Sequence, residues 1–139
     1  MAVTKLRVSE AAALLGVSDD TVRRWAEAGR LELSRADGGP AVIGGARVAA
    51  LAQELAAESA LAAAFPASRA SARNRLTGIV TRVTRDGVMA QVEMQAGPFR
   101  VVSLMSREAA DELGLEPGSL AVASVKATTV VVELPEGSR

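Results

Sequence analysis

Hydrophobic and polar positions follow different periods in the two halves of the chain. Up to about residue 64, apolar side chains recur at the spacing of an amphipathic helix. Ser9 and Ser18 stand where they can cap two short helices that end at Gly16 and Gly29. A longer helix is predicted over about 46–64. The apolar residues that should pack the two short helices together are Leu14, Leu15, Val17, Val22 and Trp25.

The second half is rich in valine and is interrupted by glycine and proline. The dipeptide "DG" at 86–87 is a hairpin signal, and "SREAADELGL" predicts a short helix capped by Ser106. Short strands with one intervening helix are typical of a small OB-like β-barrel. Five strands are predicted, near 76–84, 88–94, 99–104, 120–126 and 129–134.

The change of pattern predicts an α+β protein with two domains. The stretch "FPASRASA" separates them, since Pro66 ends a helix and small polar residues follow. We therefore expect a helical domain over 4–64, a linker over 65–70 and the five-stranded OB-like barrel with its short helix over 71–135.

Composition narrows the possible functions. The 139 residues include no Cys and no His, which excludes Cys/His metal sites and thiol or imidazole catalysis. The sequence has neither a paired-carboxylate motif nor a nucleotide-binding motif. We therefore expect no enzyme activity, no cofactor and no metal cation. No apolar run approaches bilayer length and no signal peptide is evident, so we expect a cytoplasmic protein without a membrane partner. Lys plus Arg equals Asp plus Glu at 16 each, so any contact with nucleic acid must come from a local patch.

The two short helices, joined by a turn that contains Gly16, form a helix-turn-helix pattern. The second helix would be the reader of a major groove. Its early and exposed positions carry side chains that can donate to phosphates or base edges, namely Ser18, Thr21, Arg23 and Arg24. The alternative is a helical pair that serves only packing or self-association.

The segment "RVSEAAALLGVSDDTVRRWAEAGRLE" resembles the winged helix-turn-helix of mercury-resistance-regulator and excisionase-type proteins. The resemblance implies that residues 4 to about 55 bind double-stranded DNA, with 34–45 as the wing. The wing departs from the basic pattern of such proteins, because "DGGPAVIGG" carries no cation. Arg35, with Arg47 as a further candidate, is left to contact phosphate, and each lost contact weakens binding.

Polar side chains near the predicted strand ends of the second half share one chemistry. Hydroxyl, guanidinium, ammonium and amide groups all donate hydrogen bonds, and together they suit a tetrahedral dianion. Simple solvation is the alternative, as are an Arg73–Glu93 bridge and an edge-blunting role for Lys126. The candidate donors are Ser71, Arg73, Asn74, Ser103, Ser106 and Lys126.

The stretches "SARNRLTGIVTRVTRDGVMAQVEM" and "SLMSREAADELGLEPGSLAVASVKATTVVVEL" resemble the Mop (molybdenum-pterin-binding, or molbindin) domain of the transport-associated OB class. The resemblance implies a ligand, molybdate or tungstate, at an interface between Mop domains, and hence a homo-oligomer. The contacts that it implies are Ser71, Ala72, Arg73, Ser103, Ser106, Lys126 and Ala127.

Three functions remain to be compared. The first is a transcription regulator that binds DNA and senses the oxyanion. The second is molybdate storage or buffering, with the N-terminal helices used for oligomer assembly. A single-strand nucleic-acid-binding OB domain is disfavoured, because stacking needs aromatic side chains and the barrel half has only Phe99.

Overall fold

The computed structural model describes residues 4–66 and 69–137. The chain divides into two compact units, of which the first extends to Ala64 and the second covers Phe65–Leu134. The first contains β1 (Lys5–Arg7), α1 (Val8–Leu15), α2 (Asp19–Glu27), β2 (Val42–Gly44), α3 (Gly45–Ala57) and α4 (Ala60–Ala64). The second contains β3 (Asn74–Arg85), β4 (Met89–Ala96), β5 (Phe99–Ser106), α5 (Arg107–Glu112) and β6 (Leu120–Val125). Within these described ranges, no helix combines the length and the apolar character that a membrane crossing needs.

The starts of α1 and α2 are capped in different ways. The prediction that Ser9 caps α1 is wrong, since that helix already begins at Val8. The backbone N–H of Arg7 donates instead to the Glu10 carboxylate at 2.9 Å. The prediction for α2 is confirmed, because the Ser18 hydroxyl accepts a bond from the Thr21 N–H at 3.1 Å.

A single hydrophobic core holds the first unit together. Val22, Ile43 and Leu51 are fully buried in it. Trp25 is half-buried against the same cluster. The prediction that Leu14 packs here is wrong, because 68% of its surface is exposed. Helical spacing alone did not decide which of the two neighbouring leucines faces the core.

The predicted helix over 46–64 is two helices. Val48 and Leu51 anchor α3 in the core, whereas none of the residues in α4 is buried. Helix stability in proteins comes mainly from packing of an apolar face. The helix therefore stops at Ala57, where that packing ends, although no Gly or Pro marks the break.

The second unit is built on one antiparallel sheet with the strand order β5-β4-β3-β6. The hairpin between β3 and β4 is closed by Asp86, whose carboxylate accepts bonds from the backbone N–H groups of Met89 and Val88 at 2.7 and 2.8 Å. These two bonds lower the pKa of Asp86, since they stabilise the charged form. The "DG" signal in the sequence thus marked the turn correctly.

The long strand β3 is irregular near its middle. Its register with β4 shifts between Val80 and Arg82. At Gly78, a Cβ atom would overlap the Gln95 carbonyl oxygen of the neighbouring strand. Glycine is therefore the residue that permits this close approach between β3 and β4.

The first half is helical and the second is a curled antiparallel sheet, which confirms the predicted α+β fold class. The predicted fifth strand, however, is not formed. After β6, a 3-10 turn at Ala127–Thr129 redirects the chain. Residues 130–134 pair with no strand of the described chain. Val131 and Val132 are 88% and 87% exposed. Valine favours strands through packing against neighbours, and this segment has none within its own unit.

Candidate functional sites

One group of predicted oxyanion ligands lies where β3 begins and β6 ends. Asn74 and Val125 are partners in the ladder between the two strands, and Asn74 Nδ2 donates to the Val125 carbonyl at 3.1 Å. Ser71–Arg73 immediately precede that pair, and Lys126–Ala127 immediately follow it. Two segments more than 50 residues apart in the sequence are thereby held side by side.

This group, which we call the 71/126 cluster (Ser71, Ala72, Arg73, Lys126 and Ala127), carries two cations and a hydroxyl. Arg73 and Lys126 are exposed, and Arg73 Nη1 donates to the Ala70 carbonyl at 3.1 Å. Among the ion pairs of the described residues, neither cation takes part. Their remaining N–H groups are free to donate to a ligand.

The expected serines lie on β5, on a different part of the sheet. Ser103 is opposite Val92, and Val92 is in turn opposite Val83 near the far end of β3. Ser106 is opposite Met89 at the end of the β4–β5 ladder, and its hydroxyl accepts the Ala109 N–H at 3.1 Å as the cap of α5. Within the sheet, both serines are therefore remote from the 71/126 cluster.

The curl of the sheet reduces that separation for one of the two serines. A cleft of about 540 Å³ opens between β5 and β6, with Ser103 on one wall and Val125 on the other. Ser103 shares the inner face of β5 with Val101 and Met105, since alternate residues of a strand face the same way. Ser106 has the opposite parity and does not line this cleft. One copy of the chain thus places Ser103, but not Ser106, on the side of the sheet that leads towards Val125.

Two alternatives from the sequence can be compared with these contacts. Glu93 does not pair with Arg73; its carboxylate contacts Arg82 at 4.0 Å and also Arg100. Lys126 directly follows β6, which is an edge strand. The position of Lys126 is compatible with edge protection as well as with ligand binding.

The DNA-binding candidates of α2 form a connected set. Ser18 Oγ and Thr21 Oγ1 are 3.0 Å apart, and Arg24 Nη2 donates to Thr21 Oγ1 at 3.0 Å. Arg23 is exposed on the same helix. Asp19 and Asp20 in the first turn suit the helix dipole but also place negative charge beside these donors.

The two arginines expected to support the wing have different surroundings. Arg35 Nη1 donates to the Gly39 carbonyl at 3.0 Å, which leaves its other donors exposed in the turn between Ser34 and Val42. Arg47 is engaged within the unit, because it donates twice to the Arg30 carbonyl at 2.8 and 2.9 Å and once to Glu54 at 3.3 Å. Arg47 is therefore a structural residue of the first unit. The sequence pattern did not predict this role, although Arg47 and Glu54 lie two turns apart on one helix.

The first unit has the two short helices of a helix-turn-helix, and the second is a curled antiparallel sheet with one short helix. A helix-turn-helix domain model matches residues 6–54, and a TOBE domain model matches residues 70–132. Similarity to individual proteins is concentrated in the second module.

The similar proteins are named as molybdenum-pterin-binding (Mop) proteins. The chain is 36% identical over 63 residues to molybdenum-pterin-binding protein 2 of Clostridium pasteurianum, which is 45% of this chain and 93% of that protein. It is 38% identical over 76 residues to the molybdenum-pterin-binding protein MopA of Rhodobacter capsulatus. This match covers 54% of this chain but only 29% of MopA. A solved molybdate-binding protein from Sporomusa ovata aligns with 30% identity and a TM-score of 0.47, over 48% of this chain and all of that one. Through its second unit, the chain belongs to the molybdenum-pterin-binding protein family.

Proposed function

We propose that this chain regulates transcription by binding double-stranded DNA with its first unit and molybdate or tungstate with its second. The observation that carries the proposal is the presence on one chain of the helix-turn-helix match at 6–54 and the TOBE match at 70–132. The role requires access to DNA, so we place the protein in the cytoplasm. It requires neither a cofactor nor a catalytic residue.

The chemistry of the 71/126 cluster supports an anion as the ligand. Arg73 and Lys126 bring two positive charges to one end of the β3–β6 pair, and Ser71 brings a hydroxyl. A tetrahedral dianion accepts hydrogen bonds at every oxygen, and charged donors form the stronger bonds. The names of MopA and molybdenum-pterin-binding protein 2 support molybdenum as its central atom.

We assign Ser103 and Ser106 to the same pocket but to a second copy of the chain. Within one copy, Ser106 lies opposite Met89, away from the end of β3 where Asn74 meets Val125. A pocket shared between copies would bring both groups together. Such a pocket requires a homo-oligomer of at least two chains.

The exposed face of α2 is the proposed DNA contact. Ser18 and Thr21 fix the first turn of the helix, and Arg24 is oriented by its bond to Thr21. Arg23 is free to reach a base edge or phosphate. Arg35 at the wing turn would add a phosphate contact.

Calorimetric titration of the full chain tests the second unit. Molybdate and tungstate should bind tightly, and sulfate and phosphate should not compete at equal concentration. Loss of one charged hydrogen bond corresponds to roughly a tenfold to hundredfold weaker affinity, which we expect for Arg73→Ala and for Lys126→Ala. Arg82→Ala removes an equal charge from β3 at a position outside the 71/126 cluster and should leave the affinity unchanged. Absence of tight molybdate binding by the wild-type protein would contradict the oxyanion proposal.

Selection from a pool of random duplex DNA tests the first unit. The chain should enrich a defined sequence, and the double change of Arg23→Ala and Arg24→Ala should abolish the enrichment. The fluorescence of Trp25 reports whether the first unit of that variant is still folded, because Trp25 is the only tryptophan in the sequence.

Storage or buffering of molybdate is the second candidate function. The weakly basic wing favours it, since "DGGPAVIGG" has no cation and Arg47 is held inside the unit. A storage protein would bind the oxyanion tightly and enrich no DNA sequence. The two experiments therefore separate the candidates.

A further inference from the structure

Four arginines of the second unit are paired with carboxylates. Each of two acidic side chains is shared by two arginines, so that most of the positive charge on this part of the sheet is offset where it stands. The pairs are Arg82 and Arg100 with Glu93, and Arg85 and Arg107 with Asp111.

The arginines that lead into β3 have no such partner. Within residues 4–66 and 69–137, neither Arg69 nor Arg75 takes part in an ion pair or a side-chain hydrogen bond. Arg69 is exposed and Arg75 is partly exposed. The sequence over 59–85 contains five arginines and no Asp or Glu, so no acidic neighbour along the chain offsets their charge.

The pairing of β3 with β6 adds a further cation to this end of the sheet. Arg73 and Arg75 flank Asn74 at the start of β3. Lys126 directly follows Val125, which is the ladder partner of Asn74. We call these cations, together with the arginine four residues before Arg73, the linker-end patch (Arg69, Arg73, Arg75 and Lys126).

The chemistry of the linker-end patch fits phosphate groups. A guanidinium group presents a planar set of donors that matches a phosphate, and it stays charged at any physiological pH. Arg73 and Lys126 are already assigned to the oxyanion, whose two negative charges would offset them. Arg69 and Arg75 have no part in that assignment and no partner in the described chain, so they are the cations left for a second anionic partner.

We propose that Arg69 and Arg75 bind backbone phosphates of the DNA duplex held by the first unit, an inference that rests on the proposed function. Arg69 follows the end of α4 at Ala64 by five residues, so the patch is tethered closely to the DNA-binding unit in sequence. A tethered contact forms within one complex, and even weak phosphate contacts then add to the affinity. These contacts replace part of the charge that the wing lacks. They carry no sequence information, because phosphates are the same at every base pair.

The salt dependence of DNA binding tests the proposal. Fluorescence anisotropy of the full chain with the selected duplex, at several salt concentrations, gives the slope of log affinity against log salt. Each lost phosphate contact reduces that slope by about 0.9, so the double change of Arg69→Gln and Arg75→Gln should reduce it by about 1.8. The double variant should still enrich the wild-type DNA sequence. Its far-UV circular dichroism and its molybdate affinity should be unchanged.

A matched control removes the same charge from elsewhere in the unit. The double change of Arg82→Gln and Arg107→Gln also removes two arginines, and each carboxylate keeps its other arginine. This variant should keep the wild-type slope. An equal reduction in both double variants would overturn the proposal, because net charge alone would then explain it.

Two further results would overturn the proposal. A wild-type slope in the Arg69→Gln and Arg75→Gln variant would show that these arginines touch no phosphate. A change in the enriched sequence would show that they read bases instead. Both results leave the proposed function standing, since they are measured on DNA that the chain binds. A wild-type chain that enriches no duplex would contradict the proposed function, and the phosphate contact with it.

Discussion

The two units of the chain bury their apolar residues to very different degrees. In the first, helices and the paired strands β1 and β2 close around one core that includes Val22, Ile43 and Leu51. In the second, one face of the sheet is buried around Val80 and Val92, while its edges and the C-terminal valines remain exposed. A helix satisfies its own backbone hydrogen bonds, but a sheet has edges that need a partner. The first unit therefore closes around its own core, whereas the described sheet of the second unit leaves β5 and β6 as exposed edge strands.

The largest expected effect tests whether the first unit depends only on its own core. Leu51→Ala removes a fully buried side chain and should lower the free energy of unfolding of that unit by about 2–5 kcal/mol. Urea unfolding followed by Trp25 fluorescence measures it. Leu14→Ala, at an exposed position of α1, should change stability by less than about 0.5 kcal/mol. If the two substitutions cost the same, the core assignment is wrong.

The next effect probes the second unit at the irregular part of β3. Gly78→Ala would push a Cβ atom against the Gln95 carbonyl, and we expect a loss of about 1–3 kcal/mol in the unfolding of the sheet. Far-UV circular dichroism during thermal unfolding measures it, with Trp25 fluorescence unchanged. Gly87→Ala is the control, because a Cβ there meets no atom within 4 Å. A tolerated alanine at position 78 would show that β3 and β4 do not approach so closely.

A smaller effect concerns the helix that we propose to contact DNA. Ser18→Ala removes the acceptor for the Thr21 N–H and should cost about 1 kcal/mol in the first unit. Ser9→Ala is the matched control, since Ser9 is inside α1 and does not cap it. Chemical unfolding of both variants distinguishes them; a larger loss for Ser9→Ala would reverse the assignment of the caps.

The smallest effect is a pH dependence in the hairpin of the second unit. The pKa of Asp86 is lowered by its bonds from Met89 and Val88, so this carboxylate contributes stability above its unfolded pKa of about 4. That contribution is lost as the pH falls through the lower folded-state pKa. Asp86→Asn keeps an acceptor oxygen but cannot titrate, so its stability relative to the wild type should rise below about pH 4. A stability difference that stays constant across this pH range would contradict the role of the charge.

Local features were predictable where the signal and the contact lie close together in sequence. Ser18, Ser106 and the "DG" turn each act within three residues, and each prediction is confirmed. The break between α3 and α4 carries no local signal, because it reflects where packing ends. The failure of the fifth strand has the same origin: valines 130–132 have strand propensity, but a strand forms only beside a partner.

The candidate site shows the same limit. The sequence supplied the donors and their chemistry, yet only the register of β3 with β6 places Ser71–Arg73 beside Lys126. That register depends on pairing between distant segments. In our proposal, Ser103 and Ser106 join them from a second copy, and a contact between copies leaves no pattern in the sequence of one chain.

The central claim is that oxyanion binding in one unit changes DNA binding in the other. Fluorescence anisotropy of a selected duplex, with the full chain and either molybdate or sulfate at equal ionic strength, tests it most directly. Coupling between two sites is typically 5–150-fold in affinity, so molybdate should shift the dissociation constant for DNA by about that factor and sulfate should not. An unchanged dissociation constant, under conditions where calorimetry shows that molybdate is bound, would contradict the account.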